Sequence, residues 1–431
     1  MKQFFFAVFC LALAWDASAQ TLSLEECRTA ASEHNVELRN SRLEVSAARQ
    51  TRREAFTKYF PQIGAQGLVF QAQHGIAQLD LNVPVPIPGM GALAFPLSVA
   101  KRGLSVGVVA VQPVFAGLKI VNGNKLARVG EEVSRLRLHQ SELQVAEQTD
   151  AYFWQIVALK EQLKTLDAVD RQLEEIRRQA ELSVKAGIVT KNDLLRVDLR
   201  REEIASTRLQ LEHGIHLSKM LLAQHVGRDW RGFDIAYDDF VTPADPASFY
   251  VPTEEALDQR AELRMAQKNV EAQKYQKRMV RGQNLPTVGV GAGYMHYNIT
   301  EKDIDNGLVF AQVSLPISAW WGGSHAVKKA RIKEQQAEND LRHAEEMLAI
   351  EIEKTWSELQ EAYARIGIAH RSVSSAKENL REQQQFYAVG TASLTDLLDA
   401  ETIYQRAAND LTASCAAYQT ARSNYMRVTG R

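Results

Sequence analysis

The chain has 431 residues with 51 basic and 52 acidic side chains, so its formal net charge is −1. That balance excludes a protein that holds nucleic acid by bulk electrostatic attraction. Apolar residues make up 45% of the chain, and 11 prolines and 24 glycines are few for this length, which excludes a largely disordered protein.

Residues 1–19 have the three parts of an export signal. Met1-Lys2-Gln3 supplies a positive start, residues 4–15 form an apolar run, and Ala17-Ser18-Ala19 suits a signal peptidase. We therefore predict a removed signal peptide at 1–19 and a mature start at Gln20. No later segment has the roughly 18 consecutive apolar residues of a membrane-spanning helix.

The predicted mature chain keeps two cysteines, Cys27 and Cys415. An exported protein with so few cysteines does not depend on a disulfide framework. Two unpaired, buried thiols are the favoured interpretation, and a single bridge between Cys27 and Cys415 is the alternative.

An internal repeat organises the chain. Glu-Leu-Arg at 37–39 returns at 262–264, an offset of 225, and Asp-Leu-Leu at 193–195 returns at 396–398, an offset of 203. The first copy thus has 22 extra residues, in a segment rich in proline that predicts a long loop. We predict a first repeat at 20–227, a crossover segment at 228–252 and a second repeat at 253–431.

Each repeat is predicted to run helix, strand, loop, strand, long helix and returning helix. Ser23 suits the cap of a first helix that continues to Phe60, just before Pro61. Strands are predicted at 62–73, 103–115, 287–297 and 308–317, and their alternating apolar residues suit one face in lipid and one in water.

Two proline-free stretches, 119–185 and 323–388, have apolar residues at spacings of three and four. A helix over the first stretch would have about 67 residues and a length of roughly 100 Å. Spacing near 3.5 predicts coiled-coil packing against returning helices at 190–226 and 393–429.

Two motifs carry a resemblance to a known family. Tyr59-Phe60-Pro61-Gln62 precedes the first strand, and Tyr387-x-x-Gly390-x-x-Ser393-x-x-Asp396-Leu397-Leu398-x-Ala400 marks the second helix turn. With the repeat, they make essentially the whole mature chain resemble the TolC family of outer-membrane channel proteins. The resemblance implies an α+β membrane protein, a homotrimer whose twelve-stranded β-barrel takes four strands from each chain and continues as a long α-helical coiled-coil barrel.

The function implied by the resemblance is that of an outer-membrane exit duct in a tripartite efflux pump or type I secretion system. The implied partners are a periplasmic adaptor, or membrane fusion protein, an inner-membrane RND or ABC transporter, and outer-membrane lipid. The sequence names neither the exported cargo nor the motor. The alternative function is a periplasmic coiled-coil scaffold or adaptor without a pore of its own, although such a protein would not need paired strands in both repeats.

The resemblance also implies a channel gate just past the two helix turns, formed by Asp193, Tyr387, Asp396 and Asp399. Threefold symmetry would place each aspartate beside two copies of itself and raise some of their pKa values. The gate arginine of the family falls at Ala392 here, and Lys191 is a possible substitute. The alternative is that each aspartate only stabilises the start of a helix.

Gly187 and Gly390 lie where the apolar stripes of the long helices stop, which suits a residue with positive φ after a helix. The resemblance implies that the two turns contact the adaptor through Ala186, Gly187, Ile188, Val189, Val389, Gly390, Thr391 and Ala392. The alternative is a pair of turns with no partner.

Four aromatic residues are predicted at the periplasmic ends of strands, in a belt at the level of lipid headgroups: Phe60, Phe115, Trp320 and Trp321. Packing between barrel and helices is the alternative. His213 and His216 share a helix face, but no further ligand completes a metal-binding pattern. Because no local nucleophile–base pair or dinucleotide motif is found, we predict no metal, no cofactor and no enzymatic activity.

Overall fold

The computed structural model describes residues 20–73, 77–83, 93–99, 102–187, 190–238, 243–298 and 303–431. The predicted signal peptide at 1–19 lies outside this part of the chain. Most of the described residues are helical, and a smaller share lies in strands.

The helices are α1 (Leu24–His34), α2 (Val36–Thr57), α3 (Lys119–Lys185), α4 (Lys191–His225), α5 (Thr253–Gln259), α6 (Ala261–Gly282), α7 (Ala319–Ala388) and α8 (Leu394–Val428). A short 3-10 helix covers Pro246–Phe249. Two helices are very long, since α3 has 67 residues and α7 has 70. The predicted long helices and returning helices are confirmed, with ends that differ by a few residues.

The strands are β1 (Gln20–Leu22), β2 (Gln62–Gln71), β3 (Ala77–Val83), β4 (Leu93–Val99), β5 (Arg102–Ala116), β6 (Phe233–Ile235), β7 (Thr287–Asn298) and β8 (Asp303–Ser314). An antiparallel sheet contains four of them in the order β2-β5-β7-β8. There are two smaller sheets of two strands each. In one, β1 and β6 are parallel, and in the other, β3 and β4 are antiparallel.

The chain divides into two compact units. The first contains residues 20–44, 135–265 and 342–431 of the described chain, and the second contains the described residues of 45–134 and 266–341. The first unit holds several buried apolar clusters, which pack helices against one another. The second unit holds the four-stranded sheet.

Helix pairing in the first unit follows the predicted apolar stripes. Leu359 and Ile366 of α7 are buried with Cys415, Tyr418 and Tyr425 of α8. Ion pairs add to the contact between α3 and α4, as between Arg177 and Asp198 at 2.7 Å. The returning helices are therefore the partners of the long helices, as the sequence predicted.

The four-stranded sheet has one predominantly apolar face. The β7–β8 register places Val288 opposite Val313, Val290 opposite Ala311 and Ala292 opposite Val309, so that both predicted apolar sides share one face. We call this the apolar face. It also includes exposed Ile63 and Val69 of β2, Val106 and Val108 of β5, and Tyr294 of β7.

The opposite face of the sheet combines glycine with polar and apolar residues. Gly289, Gly291 and Gly293 of β7 lie on it, and they pair with Gln312, Phe310 and Leu308 of β8. Strand β5 bulges where it passes Pro113, since a proline cannot donate a hydrogen bond to the neighbouring strand. We call this the glycine face.

The first predicted helix is wrong in two details, because the structure breaks it at Asn35 and ends it at Thr57 instead of Phe60. The Asn35 Oδ1 accepts a hydrogen bond from the backbone N–H of Glu37 at 2.8 Å, which starts α2. Its Nδ2 donates to the backbone oxygen of His225 at 3.0 Å. A contact with the end of α4, which is distant in sequence, therefore fixes the break between α1 and α2.

The predicted long loop is also wrong in part, because β3 and β4 lie within it and pair from Ala77 opposite Val99 to Val83 opposite Leu93. Both strands of a two-stranded sheet are edges, so Pro96 is tolerated in β4.

Strand β8 begins at Asp303, before the predicted Leu308, because pairing with β7 extends to Asn298 and overrides the weak strand preference of Asp303.

The two cysteines are free thiols, and both are buried. Cys27 lies in a cluster with Phe153 and Leu222, whereas Cys415 lies in another with Leu359 and Tyr418. Burial raises the pKa of the Cys27 thiol to about 12, so this thiol is protonated at neutral pH.

Candidate functional site

Two turns join the long helices to the returning helices. Gly187 has φ +72° and Gly390 has φ +79°, and open space surrounds the position of a Cβ at each. The glycines are therefore required by backbone conformation and not by crowding. After α7, the backbone N–H of Thr391 donates to the oxygen of Phe386 at 2.9 Å and that of Gly390 to Tyr387 at 3.0 Å, which closes the helix end.

Each returning helix starts with a reciprocal cap. The carboxylate of Asp396 accepts hydrogen bonds from the Ser393 backbone N–H at 3.1 Å and from its hydroxyl at 2.6 Å. In return, the Asp396 N–H donates to the Ser393 hydroxyl oxygen at 3.2 Å. Thr190 donates to Asp193 in the same way, at 3.0 Å from both its N–H and its hydroxyl.

These caps account for two of the predicted gate aspartates. The hydrogen bonds from the Ser393 hydroxyl and backbone hold the pKa of Asp396 below its ordinary value. In the single chain the shift is thus opposite to the rise expected from threefold crowding. Asp399 is exposed on the next turn of α8. The helix-start role of Asp193 and Asp396 is observed, and their place in a gate stays a prediction.

The fourth predicted gate residue connects the two turns. Tyr387, near the end of α7, is half-buried, and burial followed by the charge of Asp193 on α4 raises its phenol pKa. Tyr387 also packs against a buried cluster that includes Val197 of α4, so residues of both hairpins surround it. Lys191 is exposed, and none of the described ion pairs involves it.

An apolar cluster holds the four helices together beside these turns. It contains Leu173 and Ile176 of α3, Val197 of α4, Leu380 of α7 and Leu397 of α8, all buried. Tyr387 packs against the same cluster. The two hairpins, α3–α4 and α7–α8, therefore form one packed end within the first unit.

The predicted adaptor contacts are exposed where the structure describes them. Ala186, Gly187, Val389, Gly390 and Thr391 are exposed, and Ala392 is half-buried. Val389 is 73% exposed, which is high for a large apolar side chain. The remaining two, Ile188 and Val189, lie outside the described residues.

Sequence reasoning missed a polar contact between the hairpins. Arg200 of α4 donates from Nη2 to Gln405 Oε1 at 2.7 Å and reaches Glu401 Oε2 from Nε and Nη2 at 3.4 Å. One turn earlier, Arg196 Nη1 donates to the Thr395 hydroxyl at 2.5 Å. Glu401 is completely buried.

A signal for this contact was present in the sequence. The inward-facing stripe of α8 passes through buried Leu394 and Leu397 and half-buried Tyr404 and Leu411. Glu401 occupies the position between Leu397 and Tyr404. A carboxylate at an inward position of a coiled coil requires a partner. The sequence could not identify Arg200 as that partner, because the two residues are 201 positions apart.

The four predicted interface aromatics are all in the second unit, beside the sheet end where β2 and β7 begin. Phe115 lies on the apolar face opposite Val288, and Phe60 contacts Phe56 with ring centroids 5.5 Å apart. Trp320 and Trp321 belong to the first turn of α7, and Trp321 is 81% exposed. The Trp320 Nε1 donates to the Asn284 oxygen at 2.9 Å.

The remaining pattern considered from the sequence is the histidine pair His213 and His216. No group of three histidine, cysteine or carboxylate side chains within the described ranges could hold a metal ion. His216 packs edge-on against Trp230, with ring centroids 5.8 Å apart. Among the helices of the described chain, none combines the length and the apolar character needed to cross a membrane.

Two of the solved structures that are similar to this chain are outer-membrane proteins. The outer membrane protein VceC from Vibrio cholerae matches with a TM-score of 0.77 and 15% identity, over 94% of this chain and 96% of VceC. The Campylobacter jejuni CmeC outer membrane channel matches with a TM-score of 0.75 and 15% identity, over 94% and 85%. At these identities the likeness establishes the fold.

Sequence comparison points the same way. The chain is 24% identical to the proteases secretion protein PrtF of Dickeya chrysanthemi over 265 residues, which are 59% of this chain. The matched region spans 57% of the length of PrtF. Residues 253–431 match the model of the outer membrane efflux protein family. The family match therefore covers the second half of the chain, while the fold is shared with VceC along nearly the whole chain.

Proposed function

We propose that this protein is an outer-membrane exit duct that exports small molecules or polypeptides as part of a tripartite efflux pump or a type I secretion system. The observation that carries the proposal is the four-stranded sheet with an exposed apolar face in a chain that also has helices of 67 and 70 residues. A pore-less periplasmic scaffold would have a use for the helices but none for such a sheet.

The sheet supports closure by several copies of the chain. Strands β2 and β8 form its two edges, so each has one side without a strand partner in the single chain. In lipid an open edge leaves backbone groups without hydrogen bonds, and only closed barrels avoid this. Three chains would supply twelve strands, with β8 of one copy beside β2 of the next. The apolar face would then meet lipid and the glycine face would line the pore.

Equivalent contacts at equivalent positions support the two proposed repeats, 20–227 and 253–431. Arg52 of α2 pairs with Glu131 of α3 at 3.0 Å, and Lys277 of α6 pairs with Glu334 of α7. Lys277 lies 225 residues after Arg52, and Glu334 lies 203 residues after Glu131, which are the two repeat offsets. Both glutamates are buried, so the pairs are positioned alike.

The partners follow from the family and from the exposed turns. We propose that a periplasmic adaptor binds the turns at 186–189 and 389–392, because Val389 is exposed there beside the helix ends. The adaptor would connect the duct to an inner-membrane RND or ABC transporter. The cargo is either small molecules or polypeptides. Similarity to a proteases secretion protein favours polypeptides.

The turns are also the proposed gate, at the periplasmic end of the duct. Tyr387, Asp193, Asp396 and Asp399 lie around one packed end of four helices, and three copies would surround a narrow opening with carboxylates. Such a ring favours cations. In this proposal the protein has no catalytic role and no cofactor, and the aromatic residues at the sheet end lie at the lipid headgroups.

The proposal is tested by fractionating membranes of the native host and measuring the mass of the detergent-extracted protein. A trimer of about 140 kDa, from three chains of 48.3 kDa without their signal peptides, is expected in the outer membrane. The purified trimer should conduct ions in a planar bilayer. A soluble monomer or dimer in the periplasm would contradict the duct and support the scaffold.

A further inference from the structure

Glycines are concentrated on one face of the four-stranded sheet. The strand registers place the following residues on the glycine face: Gly64 of β2, Gly103 and Gly107 of β5, and Gly289, Gly291 and Gly293 of β7. Glycine weakens a strand, because it packs no side chain and loses more conformational freedom on folding than other residues. In a strand it often marks a place where another group approaches closely.

Two phenylalanine rings make such an approach. Phe310 of β8 is directly opposite Gly291 of β7, and a Cβ on this glycine would lie 2.8 Å from Cε1 of the ring. Phe70 of β2 is directly opposite Gly103 of β5, where a Cβ would lie 2.6 Å from Cε1. Each ring therefore leans across the neighbouring strand and occupies the space that the missing side chain leaves free.

The rings are positioned by contacts within one chain. Phe70 and Phe310 belong to the edge strands β2 and β8, yet both are half-buried, because they lean inwards over β5 and β7. Met295 of β7 lies over Gly107 in the same way, with its Cγ 2.8 Å from the position of a Cβ. Gly64 differs, since nothing lies within 4 Å of its Cβ position.

The exposure of β5 indicates which face of the sheet is the inner one. Val106 and Val108, on the apolar face, are 47% and 51% exposed, whereas Ser105 is half-buried and Gly107 is buried on the glycine face. Interior-facing and exterior-facing residues alternate along every strand of a barrel. The less exposed glycine face is therefore the one expected inside the proposed barrel.

The free width inside a small barrel depends strongly on its side chains. An eight-stranded barrel has an interior just wide enough for side chains to fill, and the diameter grows roughly linearly with the number of strands. Twelve strands would give a diameter only about half as large again. Phenylalanines from three chains that stood out from the wall would therefore take up much of the lumen.

We propose that Gly291 and Gly103 are recesses in the pore wall: they let the rings of Phe310 and Phe70 lie against the sheet and so keep the lumen wide enough for bulky cargo. This inference rests on the proposed function, because it needs the glycine face to line the pore. It adds to that function the residues that set the width of the barrel, and a wide barrel suits polypeptide cargo.

The test measures how large a reagent can pass Phe310 from the cell exterior. Gln312, also on the glycine face of β8, lies two residues nearer to α7, and Gln312→Cys supplies a thiol there. Maleimide-linked polyethylene glycols of graded size are added to cells that express each variant, and the labelled fraction is measured as a gel shift. The native thiols Cys27 and Cys415 are buried, so the protein without Gln312→Cys gives the background.

Gly291→Ala should slow the labelling of Gln312→Cys by the largest reagents several-fold, because the new methyl group displaces the Phe310 ring into the lumen. The smallest reagent should label at the same rate as before. Adding Phe310→Ala to Gly291→Ala should restore the rate, whereas Phe310→Ala alone should change it little. Gly64→Ala is the matched control on the same face and should leave all rates unchanged, because its methyl group meets no ring.

Two results would overturn the recess and leave the duct standing. One is the same size limit in Gly291→Ala as in Gly64→Ala. The other is a clear gain in size limit from Phe310→Ala alone, which would mean that the ring already projects into the lumen.

A second recess keeps the test decisive if Gly291→Ala fails to assemble, since a Cβ there would also lie 2.9 Å from the backbone oxygen of Ala110. Gly103→Ala then decides through Phe70, because the nearest backbone oxygen at that position is 3.2 Å away. If even the smallest reagent fails to label Gln312→Cys in assembled protein, the glycine face does not line a pore, and the proposed function itself fails.

Discussion

At the scale of single residues, the cap at the start of α8 is the best-defined feature near the proposed gate. Asp396 is exposed, and its carboxylate receives two hydrogen bonds from Ser393. A carboxylate in the first turn of a helix also meets the favourable end of the helix dipole. The residue therefore has a structural role in each chain, whatever it does in a trimer.

Replacing Asp396 by Asn should destabilise α8 in a pH-dependent way. Because the folded pKa of Asp396 is lowered, its contribution to stability is present above the ordinary pKa of about 3.9 and disappears as pH falls through the folded value. Thermal unfolding followed by circular dichroism should show wild type above the variant at pH 7 and the two converging in acid. Asp399→Asn is the control, and a difference that persists in strong acid would contradict the assignment.

Glu401 and Arg200 should respond unequally to substitution. Removing Arg200 leaves a buried carboxylate without a cation, so Arg200→Ala should cost roughly 3 kcal/mol of unfolding free energy. Glu401→Gln leaves Arg200 with Glu203 and Gln405, so stability at pH 7 should be unchanged or higher. If chemical unfolding showed equal losses of unfolding free energy in the two variants, this interpretation of the ion pair would be contradicted.

The pH dependence of Glu401 has the opposite sign to that of Asp396. Because burial raises the folded pKa of Glu401, the folded protein holds this proton at pH values where the unfolded chain releases it. Folding stability from this group should thus decline as pH rises from the ordinary value of 4.5 through the folded pKa. The decline should be absent in Glu401→Gln, as measured by unfolding midpoints between pH 4 and 7, and its persistence would contradict the assignment.

At the scale of elements, two glycines control how α3 and α6 begin and end in the second unit. A Cβ on Gly117 would lie 2.1 Å from the Gly282 oxygen, and one on Gly282 would lie 2.0 Å from the Gly117 oxygen. Gly117 also has φ +61°, which disfavours other residues. The two backbones approach so closely that neither position has room for a side chain.

Gly282→Ala should destabilise the protein by about 1–3 kcal/mol, the usual cost of overpacking, and Gly117→Ala by more because backbone strain is added. The yield of heat-resistant assembled protein after extraction, and its thermal midpoint, would show the loss. Gly64→Ala is the matched control, because nothing lies within 4 Å of its Cβ position. A similar effect in all three variants would exclude the close approach as the cause.

At the scale of the whole molecule, the apolar face of the sheet is the surface that the proposed function places in lipid. Val309 is 87% exposed on that face, whereas Gln312 lies on the glycine face. If the first face meets lipid and the second lines the pore, a charge should be tolerated only on the second. Val309→Lys should cost about 2–4 kcal/mol near the bilayer centre and lower the amount of assembled trimer.

The matched variant is Gln312→Lys, which should assemble normally and change only the ion preference of the pore. Quantitative immunoblots of outer-membrane trimer, together with reversal potentials in a salt gradient, would measure both effects. Equal assembly of Val309→Lys and wild type would show that this face does not meet lipid.

Local sequence patterns determined much of the molecule. The proline-free stripes predicted α3 and α7, because a helix with one apolar face needs only local periodicity to be recognised. Alternation predicted the strands of the large sheet, and Gly187 and Gly390 predicted the turns between helices. Ser23 and Ser393 predicted helix starts for the same reason, since a cap involves only neighbouring residues.

The tertiary structure decided what depends on residues that are far apart in the chain. The break at Asn35 needs the end of α4, the pairing of β3 with β4 needs two segments separated by prolines, and the link at Glu401 needs Arg200. Each is a contact whose partner is not marked by any local pattern. The periodicity of apolar residues predicts which face of a helix or strand is buried. The residues that this face contacts are known only from the packed structure.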